Sequence, residues 1–214
     1  MKIGIFDSGK GGEFVAIKFR EMFPEHEFLV VNDREHMPYG DRKTEEICEL
    51  TNTAIQPLLN KTKIIIIACN TATTAAIEFL REKYPSHKFI GFEPAVKPAA
   101  QNSRTGNIMI LATPATLKSA KHLALKNNFA KNVKVLEPET TATWAEKIEN
   151  DAFREEDLTA VVELARQYNV DEIVLGCTHY LAVEQALREK LPAVEIVESV
   201  TAVGRMLEKY LREK

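Results

Sequence analysis

Apolar and polar positions alternate along the chain in two recurring patterns. Short runs rich in β-branched residues, at 2–6, 27–32, 63–68, 88–92, 107–111, 134–136, 172–175 and 195–197, read as strands. Amphipathic stretches at 44–59, 73–83, 116–127, 155–168 and 183–190 lie between them and read as helices. That alternation predicts helices packed around largely parallel sheets. The run Ile64-Ile65-Ile66-Ile67 shows no polar alternation, as expected of a central strand covered on both faces.

Two strand ends in the first half have counterparts in the second. Residues 2–6 run into Asp7-Ser8-Gly9, and 107–111 into Ala112-Thr113-Pro114-Ala115-Thr116. Residues 63–68 run into Cys69-Asn70-Thr71, and 172–176 into Cys177-Thr178-His179. Asp7 and Thr113 stand 106 residues apart, and Cys69 and Cys177 stand 108 apart. The near-constant offset predicts two similar three-layer α/β domains, related by a pseudo-twofold, with the active site in the cleft between them. The expected division is 1–94 plus 196–214 for the first domain and 95–195 for the second, with a Pro-interrupted linker at 93–98. Functional residues in such sheets gather beyond the carboxyl ends of strands.

Composition narrows the classes of function. The 214 residues carry 28 Lys+Arg against 31 Asp+Glu, a formal net charge of −3, which is not the basic excess of a nucleic-acid binder. At 45% hydrophobic and 28% charged residues, the chain is ordinary globular protein. The apolar run at 64–69 is far shorter than the roughly 20 residues a membrane helix needs. Met1-Lys2 leads straight into a strand, leaving no room for a signal peptide, so a cytoplasmic location is expected. Three cysteines, 48, 69 and 177, make neither a disulfide framework nor a Cys-x-x-Cys metal site.

Chemistry therefore centres on Cys69 and Cys177. A thiol is a poor base at neutral pH unless neighbours favour its charged form or draw its proton away, and Asp7, Asp33, Glu149 and His179 are the candidate helpers. Cys48 reads as packing within its helix, and Trp144 as a helix anchor. His26, His36, His87 and His122 read as solvated surface. Gly4-x4-Gly9-Lys10 lacks the Ser or Thr of a phosphate-binding loop, so nucleotide binding there is rejected; Gly9, Gly11 and Gly12 instead permit a tight strand-to-helix turn. Pro38-Tyr39-Gly40 is either a plain turn or a loop that covers substrate.

Taken together, Asp7-Ser8-Gly9-x-Gly11-Gly12, Asp33 with Pro38-Tyr39-Gly40, Ala68-Cys69-Asn70-Thr71-Ala72-Thr73, Ala112-Thr113-x-x-Thr116 and Gly176-Cys177-Thr178-His179-Tyr180 resemble the glutamate racemase family in order and spacing. The resemblance implies a racemase that interconverts L- and D-glutamate without a cofactor or metal and supplies D-glutamate for peptidoglycan. It implies catalytic roles for Cys69, Cys177, Asp7, His179 and Glu149. It implies substrate binding by Ser8, Asp33, Pro38, Tyr39, Gly40, Asn70, Thr71, Thr113, Thr116 and Thr178. Its only expected partner is a small acidic amino acid, with no nucleic acid or membrane, and it admits a homodimer. Lys10, Glu13, Leu181 and Glu137-Pro138 depart from the family's usual residues. An aspartate racemase, a one-thiol decarboxylase or isomerase of the same superfamily, and an inactive acidic-ligand-binding relative remain open alternatives.

Overall fold

The computed structural model describes residues 1–213. Its first half runs β1 (Lys2–Asp7), α1 (Gly11–Met22), β2 (Glu27–Asn32), α2 (Thr44–Ala54), α3 (Gln56–Leu59), β3 (Ile64–Ile67), α4 (Asn70–Lys83) and β4 (Lys88–Gly91). Next come α5 (Val96–Asn102), β5 (Asn107–Leu111), α6 (Pro114–Lys118), α7 (Ala120–Phe129), β6 (Lys134–Leu136), α8 (Trp144–Glu149) and α9 (Thr159–Gln167). The chain closes with β7 (Glu172–Leu175), α10 (Glu184–Lys190), β8 (Glu195–Val197) and α11 (Val200–Arg212). It divides into two compact units, Met1–Glu93 with the segment beginning at Ser199, and Pro94–Glu198.

The first unit is built on a parallel sheet of order β2-β1-β3-β4. Its centre is β3, whose four isoleucines are 0–4% exposed because helices cover both faces. Burying each such side chain contributes about 1.5–3 kcal/mol. Phe6, Ile65, Ile67, Leu80 and Phe89 share one cluster, while Phe19 on α1 stacks on Phe28 of β2 with ring centroids 5.7 Å apart. Helix α11 buries Val203, Gly204 and Leu207. A Cβ on Gly204 would lie 2.5 Å from Met22 Cε, so the glycine permits close approach to α1.

The second unit repeats the arrangement, with a parallel sheet of order β6-β5-β7-β8. Ile108, Ile110, Ala112 and Val174 pack against Val96 and Ala99 of α5. In both units the third strand in sequence lies inside the sheet, so the chain leaving it emerges at a covered carboxyl edge.

Several helices differ from the expectation. The stretch 44–59 breaks at Ile55, and Pro57 sits in the first turn of α3, where its missing N–H costs nothing. The stretch 116–127 breaks at Ser119, which is extended and caps α7 by accepting the His122 N–H at 3.1 Å. Residues 155–158 form a 3₁₀ turn ahead of α9. The Pro-interrupted linker is also corrected: α5 starts at Val96 and tolerates Pro98 in its first turn. Helices α1, α8 and α11 escaped the periodicity reading. No helix among the described residues is long and apolar enough to cross a membrane.

Candidate active site

In the first unit, the polar residues singled out from the sequence meet at the carboxyl ends of β1, β2 and β3. Asp7 closes β1, is fully buried, and accepts the Gly9 N–H at 2.8 Å. Gly12 holds the following turn close: a Cβ there would lie 2.4 Å from Asn32 Oδ1 and 2.8 Å from Asp7 Cβ. Ser8 donates its hydroxyl to Cys69 Sγ at 3.3 Å. Cys69 is the N-cap of α4, and its sulfur also accepts the Ala72 N–H at 3.4 Å. A helix N-terminus and a hydroxyl donor aimed at one sulfur favour negative charge on it.

Asn70 and Thr71, both buried, open α4 beside that sulfur. Asn70 Nδ2 donates to Phe92 O at 3.2 Å, which fixes the side chain against the end of β4. Asp33 follows β2, and its backbone N–H donates to Asp7 O at 3.0 Å. Pro38 is exposed and Gly40 half-buried, but Tyr39 between them is 2% exposed. The Tyr39 hydroxyl donates to Asp33 Oδ2 at 2.7 Å. Burial, and then the bond to and charge of Asp33, push that phenol far above the ordinary tyrosine range, so it keeps its proton.

The second unit gathers its own set. Cys177 follows β7, and Thr178, His179 and Tyr180 begin a buried 3₁₀ turn. His179 Nδ1 faces Cys177 Sγ at 3.9 Å, while Nε2 lies 2.8 Å from Glu149 Oε2 at the end of α8. Thiol, imidazole and carboxylate thus form a connected series, with His179 3% and Glu149 9% exposed. Tyr180 donates to Thr141 O at 2.7 Å, and burial followed by the charge of Cys177 pushes its phenol well above the ordinary range. After β5, Thr113 caps α6 and its hydroxyl lies 3.0 Å from that of buried Thr116.

Trp144 is buried edge-to-face on Tyr180, with centroids 5.5 Å apart, as an anchor should be. Cys48 donates to Ala75 O at 3.2 Å, and burial raises its thiol further from ionisation. One histidine corrects the surface reading: His122 is 1% exposed and its Nε2 lies 2.7 Å from Glu137 Oε1. Lys126 bonds the other Glu137 oxygen at 2.7 Å. Burial opposes charge on Glu137, but His122 and Lys126 outweigh it and hold the carboxyl below its usual range. Sequence reasoning also passed over Thr73, whose hydroxyl donates to Ile67 O at 2.9 Å and accepts the Phe92 N–H at 3.1 Å. A hydroxyl one turn inside a helix that follows a buried strand was the available signal.

Among the described residues, no group of three or more His, Cys, Asp or Glu could hold a metal ion. Residues 19–207 match the family model described as Asp/Glu/Hydantoin racemase. A glutamate racemase of Ectopseudomonas mendocina is 40% identical over 215 residues, covering 98% of this chain and 81% of that protein. The crystal structure of Escherichia coli glutamate racemase, in complex with L-glutamate and the activator UDP-MurNAc-Ala, superposes with a TM-score of 0.86 at 28% identity, covering 97% of this chain and 80% of that one. Glutamate racemase from Aquifex pyrophilus gives 0.74 at 30% identity, covering 98% of this chain and 84% of that one.

Proposed function

The chain belongs to the Asp/Glu/Hydantoin racemase family, and from that premise we propose that it is a glutamate racemase that inverts the α-carbon by proton transfer between two thiols. One observation carries the mechanism: each unit presents a cysteine just after its third strand, beside polar partners of its own. Inversion needs one group to remove a proton and another to deliver one, so the resting pair is one thiolate and one thiol.

In this scheme Cys69 takes the α-proton of D-glutamate and Cys177 that of L-glutamate. Asp7 assists Cys69, while His179, oriented by Glu149, assists Cys177. Ser8, Asn70, Thr71, Thr113, Thr116 and Thr178 bind the amino and carboxylate groups, with Asp33, Pro38, Tyr39 and Gly40 on the carboxylate side. Hydroxyl and amide donors stabilise the carbanion-like transition state electrostatically, and the scheme requires no cofactor. The proposal places the enzyme in the cytoplasm, where it supplies D-glutamate for peptidoglycan. The complex of the Escherichia coli relative with L-glutamate supports the choice of substrate.

Circular dichroism of D- and L-glutamate incubated with the protein in deuterated water tests the proposal. Loss of optical activity with α-deuteration is expected from either enantiomer. Cys69→Ser and Cys177→Ser should each lower racemisation by about 10²–10⁴-fold. Each should retain α-proton exchange only for the enantiomer that its remaining thiol deprotonates. A parent protein that neither racemises nor exchanges glutamate would overturn the reading.

A further inference from the structure

His36 has no role in the scheme above, yet it completes a chain of contacts that reaches Tyr39. The Asp33 carboxylate is divided between two partners: Oδ2 accepts the Tyr39 hydroxyl at 2.7 Å, and Oδ1 lies 2.8 Å from His36 Nδ1. A carboxylate oxygen can only accept, so the bond between Oδ1 and the ring forms with the proton on Nδ1. Asp33 is mostly buried, with its side chain 13% exposed, whereas that of His36 is 42% exposed. The backbone of His36 is held as well, because its carbonyl accepts Arg42 Nε at 2.8 Å and Arg42 pairs with Glu46 on α2.

Tyr39 alone leaves the Asp33 carboxylate free to turn about its last torsion, which is broad for an sp² group. A second donor on the other oxygen removes that freedom. Core packing holds the Tyr39 ring, and because its hydroxyl commits its proton to Asp33, the orientation of the carboxylate sets where the tip of the ring rests beside the 39–40 backbone. We propose that His36 is a positioning residue that locks Asp33, and through it the Tyr39-Gly40 turn, for binding of the substrate carboxylate. The inference rests on the racemase reading. It assigns His36 to substrate affinity and leaves proton transfer to the thiols.

Steady-state kinetics on both enantiomers tests this, with the parent protein measured first. His36→Ala should raise KM about five- to tenfold while kcat stays within about twofold. His36→Asn can place an amide N–H where Nδ1 stands, and should bring KM back to within about twofold of the parent. Equal melting temperatures for parent and variants show that packing is intact, and a loss of packing by itself would not divide KM from kcat. An unchanged KM in His36→Ala, an Asn variant no better than Ala, or a fall in kcat alone overturns the inference while leaving the racemase reading standing. A parent without turnover overturns both.

Discussion

The imidazole of His179 joins a carboxylate to a thiol: Glu149 Oε2 lies 2.8 Å from Nε2, and Cys177 Sγ lies 3.9 Å from Nδ1. Glu149→Gln keeps a polar partner of the same size but removes the charge that stabilises an imidazolium. Under the proposed mechanism, kcat/KM should fall about 10–100-fold. The fall must be equal in both directions, because the equilibrium constant of a racemisation is one. Coupled assays of L-to-D and D-to-L turnover check both the size and the equality. Full activity in the glutamine variant would remove Glu149 from the mechanism.

At the other end of β7, Glu172 should make stability depend on pH. Its side chain is buried, Oε2 has no hydrogen-bond partner among the described residues, and Glu195 of β8 stands beside it in register. Asp171 precedes it; burial opposes its charge, but Ser103 and the N–H groups of Thr105 and Arg104 together outweigh burial and hold the carboxyl below its usual range. Arg188 on α10 bonds Glu195, and Arg104 supplies a weaker opposing influence. Burial, then Asp171 and Glu195, raise the Glu172 carboxyl from 4.5 to about 7.

The fold therefore binds this proton more tightly than the unfolded chain does. Stability from the protonated group is complete below about pH 4.5, declines as pH rises, and is gone above about pH 7. Glu172→Gln, which has no proton to lose, should match the parent near pH 4. By pH 8 it should exceed the parent by about 1–3 kcal/mol. Urea unfolding at the two pH values measures the difference, and an equal effect of the substitution at both would refute the assignment.

Gly12 offers a test of the β1–α1 turn. An alanine Cβ would meet Asn32 Oδ1 at 2.4 Å and Asp7 Cβ at 2.8 Å, and the second atom belongs to a fully buried side chain that cannot swing aside. Gly12→Ala should destabilise the protein by about 1–3 kcal/mol. Because the displacement falls on Asp7, kcat/KM should drop at least about tenfold. Thermal melts and racemisation assays on one preparation decide it, and a variant with parental activity would separate the turn from the thiol's surroundings.

The strands were legible because each carries its own signal. The runs at 27–32, 107–111, 134–136, 172–175 and 195–197 coincide with β2, β5, β6, β7 and β8. Apolar continuity is a local property, and burial in a parallel sheet demands it. Helix breaks were less visible: nothing in the amphipathic spacing of 116–127 shows that Ser119 leaves one helix to cap another. Long-range partners were least visible. His122 sits among Lys121, Lys126 and Asn127 in sequence, and only the return of β6 brings Glu137 to bury it. Asp33 and His36 show the same limit, since a three-residue spacing does not reveal that Tyr39 will claim the other carboxylate oxygen.

The N-cap of α4 has one more consequence. The sulfur that caps this helix is also the proposed base, so its chemical state and the first turn of the helix are not independent. Oxidation of Cys69 to a sulfinic acid, or its alkylation, replaces the acceptor that holds Ala72 N–H and alters the end of a helix that also carries Asn70, Thr71 and Thr73. An electrophile that reaches this thiol therefore acts on the cap of α4 as well as on the proposed base.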